Sequence, residues 1–121
     1  MNVFIENPDA PHFVKKIEPH HVTLNSGEHT HSIMVFKDQV TPWPVSTFMD
    51  LSETHIVTLA QAQPELVILG TGEHQHFPDS ALLKPLIKQQ IGIEIMTNEA
   101  ACRTFNLLVD DGRSVLLALI L

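Results

Sequence analysis

Short apolar runs alternate with amphipathic segments from Pro64 onward, and this order restricts the fold more than any other feature of the sequence. The periodicity predicts strands over residues 65–69, 92–96 and 114–120, with helices over residues 80–90 and 98–110 between them. Strand, helix, strand, helix, strand is the order of an α/β domain with a parallel or mixed sheet. The first of these strands is apolar throughout and is bounded by Pro64 and Gly70, so we expect it to be buried on both faces.

One more helix is expected before this unit. Asp50 and Ser52 carry the short oxygen-bearing side chains that cap helices, and an apolar stripe follows at helical spacing: Leu51, His55, Ile56, Leu59 and Ala60. In the predicted helix over residues 80–90, the side expected to face the sheet consists of Leu82, Leu83, Leu86, Ile87 and Ile91. Because a proline inside a helix costs about 3 kcal/mol, that helix is either kinked at Pro85 or begins near it.

The N-terminal part of the chain has a different character. Residues 1–19 carry three prolines and no sustained period, which indicates an irregular arm. Residues 20–24 and 28–36 form the two strands of a predicted β-hairpin, with Asn25-Ser26-Gly27 as the connection. A chain of 121 residues has the size of one domain, so we assign residues 20–121 to a single α/β domain.

Composition excludes several classes of protein. With 44% hydrophobic and 17% charged residues, the chain resembles an ordinary globular protein and not a disordered one. No apolar run approaches the roughly 18–20 residues of a membrane helix, and no secretory signal is evident, so we expect a cytoplasmic protein without membrane insertion. The net charge of −7 argues against nucleic acid as a partner. Cys102, the only cysteine, is expected to be a buried structural thiol.

Two similar stretches raise the question of a metal site: GEHTH at residues 27–31 and GEHQH at residues 72–76. On a strand, His29 and His31 would point to the same side and could share a metal ion. A zinc site, however, needs three or four converging ligands, and nothing in the sequence brings His74 and His76 to the first pair. We therefore expect surface histidines, no bound metal and no cofactor.

The loop Gly70-Thr71-Gly72 is a candidate binding site. It follows a buried strand and leads to a helix, where open α/β sheets usually place their ligand crevice. Its free amides would suit an anion, but the loop lacks the third glycine of a dinucleotide fingerprint and the lysine of a P-loop, so a plain tight turn is the competing interpretation.

The helix predicted from Asn98, which we expect to act as its cap, supplies the other candidates. Its polar stripe consists of Glu99, Arg103, Asn106 and Asp110, and we expect Asn106 to join the helix to the Gly70-Thr71-Gly72 loop, because an amide both donates and accepts. The candidate binding residues are therefore Gly70, Thr71, Gly72, Arg103, Thr104 and Asn106. The spacing of residues along the chain does not by itself identify a set of catalytic side chains.

Several short motifs, taken together, resemble those of a known family. Gly70-Thr71-Gly72, Ala101-Cys102 followed by Thr104, Phe105 and Asn106, and the Gly112-Arg113 turn before the last strand carry the resemblance; Ser32 and Trp43-x-Val45 agree more loosely. The family consists of small uncharacterised bacterial and archaeal domains, with assembly factor 3 of mitochondrial respiratory complex I as a member. This resemblance implies a three-layer β+α/β/α fold around a mixed sheet and no established enzyme activity.

Two functions are open at this stage. The first is a non-enzymatic domain that binds a protein partner, with a role in assembly of a respiratory complex by family analogy. The second is a small-molecule or anion binder, or an enzyme, that uses the Gly70-Thr71-Gly72 crevice. Removing the hydroxyl of Thr71 is expected to leave the first function intact and to damage the second. The identity of the partner and the oligomeric state stay open.

Overall fold

The structure is a computed structural model that describes residues 2–4, 10 and 12–121. Within these residues, nine strands form two sheets: β1 (Asn2–Val3), β2 (Val14–Glu18), β3 (His21–Leu24), β4 (Gly27–His29), β5 (Ile33–Phe36), β6 (Gln39–Pro42), β7 (Leu66–Gly70), β8 (Gly92–Met96) and β9 (Val115–Leu119). The helices are α1 (Glu53–Gln61), α2 (Lys84–Lys88) and α3 (Asn98–Asp110), with 3-10 turns at Phe48–Asp50 and Ser80–Leu83.

The central sheet has five strands in the order β6-β5-β9-β7-β8. Strand β7 is parallel to both β8 and β9, and β5 is antiparallel to β9 and β6, so the sheet is mixed as predicted. Parallel neighbours need a crossover, which α2 and α3 supply. Four of the five residues of β7 are buried, which confirms that this strand lies inside the domain.

The two faces of the central sheet pack against different layers. Val67 and Leu69 of β7 contact the core that contains α1 and α2, whereas Ile68 contacts the core that contains α3 and the N-terminal sheet. This alternation follows from the period of two along a strand. The predicted three-layer β+α/β/α fold in one domain is thereby confirmed.

The N-terminal sheet is antiparallel, with the order β1-β2-β3-β4. The predicted hairpin is present as β3 and β4, with Leu24 opposite Gly27 across the turn. Two expectations are wrong. Residues 28–36 are not one strand, because the chain leaves this sheet after His29 and enters the central sheet at Ile33. Residues 14–18, within the predicted irregular arm, form β2; residues 1, 5–9 and 11 of that arm lie outside the described part.

The helices follow the sequence pattern with local differences. Helix α1 begins after Ser52, whose backbone N–H donates to His55 Nδ1 at 3.0 Å, so a histidine side chain accepts a hydrogen bond at the start of this helix.

Helix α2 begins next to Pro85, which is one of the two alternatives predicted from the sequence. Ile87 was expected to face the sheet but is exposed, because Leu86 is the residue of this short helix that is buried.

Helix α3 is capped by Thr97, whose Oγ1 accepts from Ala100 N at 3.3 Å, and not by Asn98.

Candidate functional site

The loop Gly70-Thr71-Gly72 leaves the carboxyl end of β7, beside the start of α3. Its backbone donors are already used. Thr71 N donates to Met96 O at 3.0 Å, and Gly72 N donates to Asn98 Oδ1 at 3.0 Å. Since these amides are the groups that would hold an anion, the loop offers a ligand neither of them.

The hydroxyl of Thr71 is also consumed within the loop. Thr71 is buried, and its Oγ1 donates to His74 O at 2.7 Å and accepts from His76 N at 3.1 Å. The same oxygen lies 3.3 Å from Met96 O. One side chain therefore fixes the course of residues 71–76, a segment without regular pairing of its own.

Replacing Thr71 with valine is consequently a test of the fold. We expect Thr71→Val to lower the free energy of unfolding by about 1–3 kcal/mol, because His74 O and His76 N lose their partner. Thr71→Ser keeps the hydroxyl and should keep most of the stability. Urea unfolding of both variants measures this; equal midpoints for Thr71→Val and the unchanged protein would contradict the role given to the hydroxyl. Loss of function in Thr71→Val would therefore report on the stability of the fold as well as on a ligand site.

Asn98 joins the loop to the rest of the domain. It is only 8% exposed, its Oδ1 accepts from Gly72 N, and its Nδ2 donates to Ile120 O at 2.9 Å. Its backbone N–H also donates to Gly72 O at 2.8 Å. The sequence pattern marked Asn98 only as a cap, and the available signal for this second role was a polar residue at the loop-facing end of the helix.

Asn106, the residue predicted to make this connection, lies elsewhere. It is 5% exposed, and its amide bonds both backbone groups of Val14 in β2: Val14 N donates to Oδ1 and Nδ2 donates to Val14 O, each at 2.9 Å. The prediction that Asn106 contacts the Gly70-Thr71-Gly72 loop, and lies on an exposed polar stripe, is therefore wrong. Asn106 links α3 to the N-terminal sheet.

The remaining two candidates do not complete a crevice. Arg103 is exposed and pairs with Glu99 at 3.3 Å, a contact of the kind that adds little stability at a surface. Thr104 is half-buried and places Oγ1 3.5 Å from Met96 Sδ. Gly70 ends β7 and is followed by Thr71 and Gly72, and Thr104 contacts Met96 as Thr71 does, whereas Arg103 is exposed on α3.

A cleft of about 370 Å³ does lie next to Gly72, with other walls. It is lined by the β2–β3 turn, the start of α3 and the end of the chain: Ile17, Glu18, Pro19, His20, Gly72, Glu73, Thr97, Asn98, Glu99, Ile120 and Leu121. Three of these residues are glutamates, which disfavours the anion suggested by the loop position. His20 Nδ1 is bonded to Leu121 O across the cleft.

The histidines are distributed over several elements. His29 belongs to β4 and His31 follows it, whereas His74 and His76 lie in the exposed loop after β7. Within residues 2–4, 10 and 12–121, no three His, Cys, Asp or Glu side chains gather in a way that could hold a metal ion. The absence of a bound metal stays a prediction.

An apolar surface forms where two loops meet near this end of the sheet. The ring of Phe48 stacks on that of His76, with centroids 5.2 Å apart and 30° between planes. The residues that follow them, Met49 and Phe77, are 87% and 69% exposed, so the stacking brings two exposed apolar side chains to one region of the domain. We call these four residues, Phe48, Met49, His76 and Phe77, the Phe77 surface. Exposed apolar side chains of this kind are typical of a binding surface.

Comparison with known proteins now places the chain. A family described as "Protein of unknown function (DUF498/DUF598)" matches residues 14–120. The chain belongs to this family. The resemblance inferred from the sequence is confirmed.

Two curated relatives and one solved structure illustrate the family. The chain is 36% identical to NADH dehydrogenase [ubiquinone] 1 alpha subcomplex assembly factor 3 of Drosophila melanogaster over 92 residues, which is 73% of this chain but 47% of that protein. It is 29% identical over 112 residues to the 13 kDa major membrane protein of Francisella tularensis subsp. holarctica, with 91% of each covered. A crystal structure of a Bordetella parapertussis protein matches with a TM-score of 0.84 at 31% identity, over 91% of this chain and 95% of that one. The chain thus spans about half the length of the assembly factor.

The residues that carry the family resemblance have structural roles here. Arg113 Nε donates to Glu65 Oε1 at 2.8 Å, and Ser114 N donates to the same oxygen at 3.0 Å, which ties the turn before β9 to the start of β7. The bond from Arg113 and the Ser114 N–H lower the pKa of Glu65. Cys102 is buried as predicted, and burial raises the pKa of its thiol, so it is not an activated nucleophile.

Ser32 and Trp43-x-Val45 form a second structural group. Ser32 Oγ donates to Val45 O at 2.6 Å and accepts from Leu121 N at 3.0 Å. Trp43 is fully buried, and its Nε1 donates to His55 O at 3.3 Å. The residues of the family pattern therefore connect different elements of the domain through hydrogen bonds and packing. The Phe77 surface lies outside that pattern.

Proposed function

We propose that this protein is a non-enzymatic, cytoplasmic domain that binds a protein partner and acts in the assembly of a membrane-associated complex. Its relatives named as NADH dehydrogenase assembly factors make a respiratory complex the first candidate. The name of the Francisella relative also refers to a membrane. No helix in the described part of this chain is long and apolar enough to cross a bilayer.

The observation that carries this proposal is the Phe77 surface. Met49 and Phe77 expose most of their side chains to solvent, and burying such groups costs nothing in hydrogen bonds. Aromatic residues and methionine are enriched at the centres of protein interfaces. The stacked pair Phe48 and His76 holds the two segments together before any partner arrives, which reduces the entropy lost on binding.

The occupied donors of the loop support binding over catalysis. The hydroxyl of Thr71 and the amide of Asn98 bond to the protein itself, and the thiol of Cys102 is buried. A catalytic group must instead reach a substrate within hydrogen-bond distance. The Phe77 surface, at this end of the sheet, exposes apolar side chains, which favour contact with another protein.

Complementation tests the proposal. In a host that assembles respiratory complex I and lacks its own copy of this protein, the unchanged chain should restore the assembled complex on native gels. The double variant Met49→Ser, Phe77→Ser should fold but fail, because truncating an interface anchor typically costs about 2 kcal/mol or more.

Matched controls use exposed apolar residues elsewhere. Ile87→Ser on α2 and Leu107→Ser on α3 remove side chains that are also largely exposed, and both variants should restore assembly. Arg103→Glu probes the outer face of α3, where the sequence placed a candidate contact. Full assembly with the double variant would refute the proposal. Loss with Arg103→Glu alone would move the binding surface to α3.

A further inference from the structure

The two chain segments that form the Phe77 surface carry acidic residues and no lysine or arginine. The sequence contains no lysine or arginine between Lys37 and Lys84, a stretch that includes every residue of this surface. Four carboxylates lie within a few residues of it along the chain: Asp50, Glu53, Glu73 and Asp79. All four are exposed. The nearest basic residue along the chain is Lys84, five residues beyond Asp79.

The stacking of Phe48 on His76 brings these carboxylates to one region. Asp50 and Glu53 follow Phe48 at the start of α1, and Glu73 and Asp79 flank His76 in the loop after β7. Each segment alone would be an ordinary solvated loop. The stacked rings join the two segments, so the exposed Met49 and Phe77 and the four carboxylates belong to one region of the domain.

Several acidic residues elsewhere on the domain have cationic neighbours. Glu18 lies near Lys16 and His21, Glu65 bonds Arg113, and Glu99 bonds Arg103. By contrast, none of the four carboxylates beside the Phe77 surface pairs with a cation among the residues that the structure describes; Asp50 accepts from Thr47 Oγ1 and Asp79 accepts from Ala81 N. Their charge is therefore not taken up by an ion pair within the described residues and is available to an approaching partner.

We infer that the Phe77 surface binds a basic protein segment, in which apolar side chains cover Met49 and Phe77 while Lys or Arg residues face the surrounding carboxylates. The inference rests on the proposed function and specifies the chemistry of the partner. Complementary charge at the rim speeds association and excludes wrong partners, and the apolar centre provides the affinity. An anionic lipid surface would be repelled by the same carboxylates, which favours a protein segment over a membrane.

Photo-crosslinking from position 77 tests the inference in the native host. A benzophenone amino acid replaces Phe77, which keeps an aromatic group there, and the crosslinked segment is identified by mass spectrometry. We expect a segment with net positive charge. In the double variant Asp50→Lys, Asp79→Lys the yield should fall about tenfold, and raising the salt from about 50 to 500 mM in extracts should reduce it similarly.

The matched control changes the total charge equally at distant positions. Asp38 and Asp111 are exposed in the β5–β6 turn and after α3, so Asp38→Lys, Asp111→Lys should leave the yield unchanged. All variants must first show the urea midpoint of the unchanged protein. A neutral or acidic crosslinked segment, a lipid product, or equal effects of the two double variants would overturn the inference and leave the proposed function standing. Absence of any crosslinked protein would refute both.

Discussion

Replacing Gly70 with alanine is expected to lower the free energy of unfolding by about 3 kcal/mol or more, because the new side chain has no room. A Cβ at this position would lie 2.3 Å from Asn98 Oδ1, 2.8 Å from Leu119 Cδ2 and 3.3 Å from Ala101 Cβ. The first distance is far below van der Waals contact. Asn98 is held at both ends of its amide and cannot give way without losing those bonds.

The same change in the neighbouring strand provides the control. A Cβ on Gly92, in the edge strand β8, would lie 3.1 Å from Leu66 Cδ1 and 3.6 Å from Glu65 O. Because only the end of a flexible side chain must move, Gly92→Ala should change stability by less than about 1 kcal/mol. Urea unfolding compares the two variants, and equal midpoints would show that the close approach of α3 to β7 is not what requires glycine.

A double-mutant cycle identifies the clash partner. If the methyl group added by Gly70→Ala acts mainly through Asn98, then this substitution should cost less in an Asn98→Ala background than in the unchanged protein. Additive effects would instead attribute the cost to Leu119, whose side chain is the next neighbour. With either partner, the first glycine of the Gly70-Thr71-Gly72 motif is required by packing around the end of β7.

The central sheet was predictable because its pattern is local. Strand β7 is a short apolar run between Pro64 and Gly70, and α3 carries a helical period, so the sequence locates both elements to within a residue or two. Their alternation predicted a parallel or mixed sheet, and the family resemblance implied the mixed one. The prediction that Ile87 faces the sheet is wrong for a local reason as well, because α2 has only five residues and buries Leu86 but not Ile87.

The N-terminal sheet was less predictable, since its pairing depends on distant contacts. Strand β2 has a register shift between Val14 and Lys16, which interrupts the period of two that would have marked it as a strand. Its buried residues, Val14 and Ile17, accordingly lie three apart. The break after His29 is equally invisible in sequence, because both sides of it favour strands and only the packing of two sheets separates them.

The candidate site shows the same limit at the level of side chains. Asn98 and Asn106 occupy one helix, and eight residues place them about 80° apart around its axis. Periodicity assigned Asn106 to the polar side because a buried amide looks like a surface residue in sequence. Which asparagine meets the loop depends on how α3 is rotated against the sheet, and residue type alone does not encode that rotation.

Asn98→Leu and Asn106→Leu are each expected to lower the free energy of unfolding by about 2–4 kcal/mol, since each leaves two buried backbone groups without a partner. Asn98 serves Gly72 N and Ile120 O, and Asn106 serves Val14 N and Val14 O. Leucine fills the space of the asparagine side chain but carries no polar atom, so the loss reports on hydrogen bonding more than on a cavity. Urea unfolding measures both costs.

Similar global costs would not show which contact each asparagine makes, but amide hydrogen exchange does. Losing a buried partner frees that amide for local opening, so exchange at Val14 N should accelerate in Asn106→Leu while Gly72 N keeps its protection. The converse should hold in Asn98→Leu. Exchange must be compared under conditions where both variants are fully folded, so that global unfolding does not dominate. Faster exchange at Gly72 in Asn106→Leu would restore the placement predicted from sequence and would contradict the rotation of α3 that the structure shows.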